Sequence, residues 1–389
     1  MLDNKVVVTV FGKDTPGLVA EITSLLSKYN INIVDIQQNV IQGLFLMFLI
    51  ADLSTGTLTQ GELERKLKKK SRELKLEIET TPVSEYKDYR KATPKDLYVI
   101  TVLAKDRPGI VADISSILAE LKVNIEKTLL TARGDLISLE FFVDLKGKDY
   151  SNVKNALDAK GSKVGLDITI QNQRRFKREK RLVVFDMDST IVDLEIIDEL
   201  AKAGGVEKEV SKITKEAMSG NLDFKVALKD RVKLLEGQST DILEDIANNL
   251  VFTRGTEELL STLKTMGYKT ALISGGFTYF TDRVKERLNF DYAFANRLMI
   301  KDGKLTGEVA EPVIDAEAKG EIINDLARKE NISTENIVAV GDGANDQIMI
   351  KNAGLGVAFN AKELLKKVSD GSLSKDNIMG LLNIIGQGE

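Results

Sequence analysis

The first half of this chain contains itself twice, and that repeat limits the fold more than any other feature. Gly12-Lys13-Asp14-Thr15-Pro16-Gly17 returns as Ala104-Lys105-Asp106-Arg107-Pro108-Gly109, and Asn32 returns as Asn124, both at an offset of 92 residues. The apolar pattern keeps register as well. Leu18, Ile22, Leu25 and Tyr29 fall at i, i+4, i+7 and i+11, as do Ile110, Ile114, Ile117 and Leu121. That spacing lines one face of a helix. Each Pro-Gly pair sits where a strand gives way to that helix, with Pro suited to the first turn. The first copy predicts strands near 5–11, 33–41, 43–52 and 74–82 and helices near 16–28 and 58–71. This is the ferredoxin-like βαββαβ plan. Gly43 separates the middle strands of the first copy and Gly134-Asp135 those of the second. The Lys- and Glu-dense stretch from Glu62 to Lys75 reads as a solvated helix face with Leu63, Leu67 and Leu74 inward.

From Arg181 onward strands alternate with helices, which implies a parallel sheet covered on both faces. Three apolar strands end in polar groups. Val183-Val184-Phe185 runs into Asp186-Met187-Asp188-Ser189-Thr190, Thr270–Ile273 into Ser274-Gly275-Gly276, and Ile337–Val340 into Gly341-Asp342-Gly343-Ala344-Asn345-Asp346. Lys319-Gly320 falls on a predicted helix starting near Ala316. Parallel strands bring their carboxyl ends to one edge, where open α/β sheets bind ligands. Two carboxylates one residue apart repel each other unless a cation or a shared proton relieves them. The edge therefore implies a hard metal ion, an acid/base pair, or both.

Composition narrows the chemistry. The chain has no His and no Cys, which removes the imidazole base, the thiolate nucleophile and nearly all zinc and iron sites. A net charge of −4 gives no support to nucleic-acid binding. The longest apolar run, Leu44 to Ala51, is far short of the ~20 residues of a membrane span. The N-terminus enters the strand-like run Val6–Val10 rather than a secretory leader, so a cytoplasmic protein without membrane contact is expected. A calcium loop starting at Asp186 would need Gly and Glu where Ile191 and Ile197 stand. In the half-match to a dinucleotide fingerprint, Asp342 and Asp346 would oppose a pyrophosphate.

The repeats, over about 4–83 and 96–172, resemble the ACT domain, a regulatory module that binds amino acids. The resemblance rests on Asp-x-Pro-Gly opening a helix and the Asn after it. It implies ligand contacts at Asp14, Gly17 and Asn32 and at Asp106, Gly109 and Asn124. On the residues alone, Gly and Pro equally serve to shape the turn, and Asn to cap or bend the strand entry. ACT modules commonly pair, so a homodimer is expected.

The second half, over about 181–385, resembles the haloacid dehalogenase superfamily of phosphotransferases. Within it, Asp-Met-Asp-Ser-Thr-Ile-Val, Ser-Gly-Gly-Phe, Ala-Lys-Gly-Glu and Val-Gly-Asp-Gly-Ala-Asn-Asp are most similar to the phosphoserine phosphatases. The resemblance implies an α/β Rossmann-like parallel sheet with a small helical cap at about 194–255. It implies Asp186 as nucleophile, Asp188 as acid and then base, and Lys319 and Ser274 holding the phosphoryl oxygens, with Gly275 and Asn345 beside them. Mg²⁺ would be held by Asp186, Asp342 and the backbone carbonyl of Asp188, with Asp346 in support. Glu195 would meet the ammonium of phosphoserine and Arg231 its carboxylate, with Met218 and Phe224 as an apolar wall. Without the family, Arg231 reads as an exposed helix residue like Lys229 and Lys233. The products would be serine and phosphate, the last step of serine biosynthesis, with serine or a related amino acid sensed by the repeats. Two other readings stay open: a phosphatase for another small phosphomonoester, and an amino-acid sensor with a vestigial phosphatase half. The expected domains are 1–86, 87–173 and 174–389. Pro82 to Lys95 reads as the first link and the basic run Arg174 to Arg181 as a solvated second one.

Overall fold

The computed structural model describes residues 4–85, 95–132, 136–218 and 222–386. It divides into two compact units, Met1–Pro94 and Lys95–Glu389.

The first unit runs β1 (Lys5–Lys13), α1 (Leu18–Lys28), β2 (Asn32–Ile41), β3 (Leu44–Asp52), α2 (Gln60–Leu74) and β4 (Leu76–Pro82). Its four strands are ordered β2-β3-β1-β4, all antiparallel. Both helices pack on one face of the sheet, against Val6, Val8, Val10, Phe45, Met47 and Leu49. Leu18, Ile22 and Leu26 form the buried line of α1, while the predicted Leu25 and Tyr29 flank it half-buried. In the second copy Ile110, Ile114 and Leu118 are buried, with Ile117 and Leu121 on the flank. At 3.6 residues per turn, the i, i+4, i+8 row is the one that meets the sheet. Gly17 (φ 97°) opens α1 in the left-handed region, and a Cβ there would touch nothing. Its glycine is thus required by conformation rather than by space. Thr59 and Glu62 form a reciprocal capping box at the start of α2, worth about 1 kcal/mol.

The second unit begins with the same plan: β5 (Leu97–Ala104), α3 (Ile110–Glu120), β6 (Asn124–Ala132), β7 (Ile137–Asp144), α4 (Tyr150–Val164) and β8 (Asp167–Asn172). The predicted turn at Gly134-Asp135 lies outside the described residues. A short α5 (Gln173–Phe176) leads to β9 (Leu182–Phe185). Four helices follow: α6 (Ile196–Ala203), α7 (Glu207–Met218), α8 (Phe224–Lys233) and α9 (Asp241–Asn248). Then come α10 (Thr256–Thr265), β10 (Lys269–Phe277), α11 (Thr278–Leu288), β11 (Tyr292–Asn296) and the hairpin β12 (Leu298–Lys301) and β13 (Lys304–Val309). The chain ends through α12 (Ala316–Glu330), β14 (Ile337–Gly341), α13 (Gln347–Asn352), β15 (Leu355–Phe359), α14 (Glu363–Val368), β16 (Gly371–Leu373) and α15 (Leu381–Ile385).

One ten-stranded sheet runs through this unit, in the order β11-β10-β9-β14-β15-β16-β8-β5-β7-β6. The strands from β11 to β16 are parallel. The join to the second repeat is antiparallel, with Gly371 facing Thr169. A Cβ on Gly371 would lie 2.0 Å from the Thr169 hydroxyl, so glycine is what lets the two strands meet. The join is also packed. Leu103 of β5 belongs to the same core as Val183, Phe185, Leu381 and Ile384, and Gln171 donates to the Ile384 carbonyl at 3.0 Å. The basic run between repeat and catalytic half is correspondingly less solvated than its sequence suggests. Lys180 is buried and donates to the carbonyls of Arg175 and Glu335. Among the described residues no helix is long and apolar enough to cross a membrane.

Candidate active site

Strand β9 lies between β10 and β14, so the carboxyl ends of all three strands open at one place. Asp186 follows β9 directly, Ser274 lies in β10, and Asp342 follows β14. Helix α12 delivers Lys319. Asp315 caps that helix by accepting from the Ala318 N–H at 2.9 Å. A Cβ on Gly320 would come 2.4 Å from Ile348, so this glycine allows α12 to settle against α13.

The Lys319 ammonium is buried between two carboxylates, 2.5 Å from Asp186 Oδ1 and 2.7 Å from Asp346 Oδ1. The other oxygen of Asp346 accepts the N–H groups of Asp342 (3.1 Å) and Gly343 (3.0 Å). Gly341 leaves room for that carboxylate, since a Cβ there would lie 2.5 Å from it. Asp186, Asp342 and Asp346 each present an oxygen within 4.8 Å of the others. Removal from water, then repulsion by Asp346, holds the Asp186 carboxyl well above its ordinary range despite Lys319. The same two causes push Asp342 up to about 7. Three carboxylates against one ammonium leave a net negative, oxygen-only pocket. That donor set fits a hard divalent cation such as Mg²⁺, which accepts a few carboxylates and keeps waters on its open side.

The Asp188 carboxylate lies apart from this trio. It accepts from Ser274 Oγ at 2.9 Å and from the Ile196 N–H at 2.9 Å, while Ser274 Oγ accepts from the Gly276 N–H at 2.8 Å. Burial raises the Asp188 pKa, against the pull of those hydrogen bonds. Two carboxylates one residue apart thus occupy different environments, one beside an ammonium and acids, the other beside a hydroxyl.

Helices α6 to α9 form the predicted cap. Glu195 stands at its entrance and accepts from Ser189 Oγ at 2.7 Å. Solvent reaches it, yet the surrounding protein and the charge of Asp188 push it up to about 7. Arg231 is buried on α8, contrary to its reading as an exposed helix residue. Its Nε donates to the Ala227 carbonyl at 3.1 Å and a terminal nitrogen to Thr214 Oγ1 at 3.4 Å. No carboxylate lies within 4 Å of it among the described residues. Desolvation lowers its pKa while Asp198, Glu195 and Asp188 counteract. Phe224 reaches over Gly275, where a Cβ would lie 3.2 Å from the ring and 4.0 Å from Asn345. Met218 closes α7, but its side chain lies outside the described residues.

Three features escaped sequence reasoning. Ser189 adopts φ 57°, a costly region for a residue with a side chain, and so presents its hydroxyl to Glu195. Asn296 bridges the Gly275 carbonyl (2.8 Å) and the Ile314 N–H (2.7 Å). Lys225 and Lys229 on α8 pair with Asp315 (2.8 Å) and Glu311 (2.6 Å), tying the cap to the segment before α12. Ordinary-looking surface residues gave no signal for these contacts.

A family model described as haloacid dehalogenase-like hydrolase matches residues 180–354, and ACT domain models match 4–81 and 98–161. A phosphoserine phosphatase of Archaeoglobus fulgidus is 50% identical over 342 residues, covering 88% of this chain and 97% of the relative. The chain belongs to the phosphoserine phosphatase family. A second member, from Streptomyces coelicolor, is 34% identical over 97% of the chain and 91% of its own length. One from Methanocaldococcus jannaschii matches only 54% of this chain but 99% of itself, at 48% identity. Among solved structures, a substrate-bound phosphoserine phosphatase complex is 48% identical over 53% of this chain and 98% of its own, with a TM-score of 0.51.

In the two ACT-domain repeats the predicted residues part company. Asp106 and Gly109 line a mostly apolar cavity of about 620 Å³ in the second repeat, with Arg107, Ile110, Val111 and Leu130. Asn124 does not line it and instead donates to Glu126 at 2.8 Å. In the first repeat the Asp14 N–H donates to the Gly43 carbonyl, Gly17 opens α1, and Asn32 begins β2.

Proposed function

We propose that this protein hydrolyses O-phospho-serine to serine and phosphate in an Mg²⁺-dependent reaction. The observation that carries this reading is the separation of Asp186 and Asp188 into unlike environments beneath a cap that supplies one buried cation and one acid. Asp186 attacks phosphorus, forming a carboxyl–phosphate bond as the bond from phosphorus to the serine oxygen breaks. Asp188, held against the Ser274 hydroxyl, gives a proton to the departing oxygen. Now ionised, Asp188 takes a proton from water, whose oxygen attacks phosphorus. Phosphate leaves and Asp186 is restored. Lys319 and Ser274 hold the phosphoryl oxygens. Mg²⁺, held by Asp186, Asp342 and Asp346 with the Asp188 carbonyl, would neutralise the oxygens of the phosphoryl group. Arg231 takes the substrate carboxylate as a bidentate pair, Glu195 takes the ammonium, and Phe224 closes the apolar side, with Met218 and Asn345 beside it.

The second repeat's cavity supports binding of a regulatory amino acid such as serine, with Asp106 and Gly109 at its rim. The protein acts as a homodimer. Phosphate release from phosphoserine, with and without Mg²⁺, tests the catalytic reading against Asp186→Asn. Turnover by that variant, or indifference to metal, would refute it. Calorimetry with serine tests the regulatory one, and absence of binding outside the active site would end it.

A further inference from the structure

The two repeats differ most on the sheet face that their helices leave open. In the second repeat that face is covered by the catalytic half: Leu103, Ser138 and Glu140 are 1%, 0% and 8% exposed. Their counterparts 92 residues earlier are Phe11, Leu46 and Phe48, at 40%, 45% and 44% exposed. The chain therefore uses this face for docking in one copy. In the other copy it places larger apolar side chains there and leaves them open.

Strand register defines the face row by row. One row runs Asn39, Leu46, Phe11, Glu77, and the next Gln37, Phe48, Thr9, Glu79. A third holds Ile41, Leu44 and Lys13. An apolar stripe thus follows β3 and β1, with Asn39, Gln37 and then Asp35 on the β2 flank and Glu77, Glu79 and then Thr81 on the β4 flank. The exposed apolar side chains amount to roughly 400 Å², within the range where a patch on a single chain is functional. With its flanks the face approaches the ~800 Å² per partner of a specific interface.

We infer that two copies of this chain stack through this face, with the two-fold axis lying along the strands between β3 and β1. This deepens the homodimer reading and rests on it. Charge selects the axis. An axis across the strands would lay β4 over β4 and set Glu77 and Glu79 against the same two acids. An axis along the strands lays β4 over the partner's β2. Then Glu77 and Glu79 meet amides equivalent to Asn39 and Gln37, and Leu46 meets the counterpart of Phe11. Leu44 meets the counterpart of Lys13, whose stem can lie along it. Aligned sheets about 10 Å apart pack in this way.

Sedimentation of the full chain tests the surface. Leu46→Lys with Phe48→Lys should raise the dimer dissociation constant at least tenfold while phosphatase activity per chain and the circular dichroism spectrum stay unchanged. Asn39→Lys with Gln37→Lys should tighten the dimer, because each new ammonium faces an acid. A wild-type monomer would overturn both the stacking and the homodimer reading. A dimer indifferent to the apolar pair would overturn the surface alone, leaving dimerisation elsewhere. A dimer weakened by the amide-to-lysine pair would overturn the axis.

Discussion

Lys319 Nζ lies 2.5 Å from Asp186 Oδ1, and both groups are buried. In the proposed mechanism an ammonium there compensates the attacking carboxylate before substrate arrives and bridges to phosphoryl oxygens once it does. Lys319→Met should lower kcat by about 10²–10³, the scale of losing one oriented electrostatic contact. KM for phosphoserine should change far less, because Arg231 and Glu195 remain. Steady-state kinetics check the split.

Asp186→Asn removes the proposed nucleophile while keeping its shape, so turnover should vanish with the thermal midpoint nearly unchanged. Acid-quenched wild-type enzyme should carry a labile acyl phosphate that the variant lacks. Activity in the variant, after deamidation is excluded, would end the covalent mechanism.

The site's parts differed in legibility. Asp186, Asp188, Ser274 and Asp342 could be read because fully buried parallel strands are continuous apolar runs, and a polar residue ending such a run lies on the binding edge. The burial of Arg231 was masked by its surface neighbours Lys225, Lys229 and Lys233, although Ala227, Leu228 and Val232 mark the inward face on which it lies. The continuous sheet was hidden too. Its join depends on β16, three residues long with no alternation, and on one facing pair, Gly371 and Thr169. The spread of polar residues over the second repeat's outer face, Thr101, Ser138 and Thr169 among them, argued against the burial they undergo.

Asp342 is pushed up to about 7 because its charged form has lost water and sits near Asp346. A carboxylate raised in the folded state costs stability once pH exceeds its unfolded pKa, and that cost grows until the folded pKa is passed. Without metal, stability should therefore fall as pH rises from about 4.5 to 7. If Asp342 is a ligand as proposed, Mg²⁺ would need to displace no proton from it at pH 8 but would at pH 5.5. The rise in thermal midpoint on adding Mg²⁺ should be larger at pH 8. An equal or larger rise at pH 5.5, by scanning calorimetry, would refute the assignment of Asp342 as a ligand.

Arg231→Ala should raise KM for phosphoserine far more than for an aromatic phosphate that lacks a carboxylate. Losing a buried charge-assisted pair costs ~2–5 kcal/mol. Arg231→Lys should recover little, since an ammonium offers no planar fork. Equal losses on both substrates would make Arg231 a structural residue of the cap.

The last prediction concerns where the chain can be cut. A family member of which 99% matches only 54% of this chain exists, and all the catalytic motifs lie after residue 180, so they suggest that this half could stand alone here. In this chain the second repeat extends the catalytic sheet through β8, and Leu103 shares a core with Leu381 and Ile384. A chain beginning at Lys95 should keep kcat and thermal midpoint close to those of the full protein. A chain beginning at Phe176 keeps every catalytic group but exposes β16 as a free edge and uncovers the apolar side of α15. Burial is worth ~25 cal/mol per Å² of apolar surface, and an open strand edge invites pairing with other chains. The shorter chain should retain hydrolysis within about tenfold when freshly prepared, yet melt several degrees lower and aggregate with time. Thermal melts and light scattering on both truncated chains decide the matter. Equal midpoints and no aggregation would show that the shared sheet adds nothing to stability.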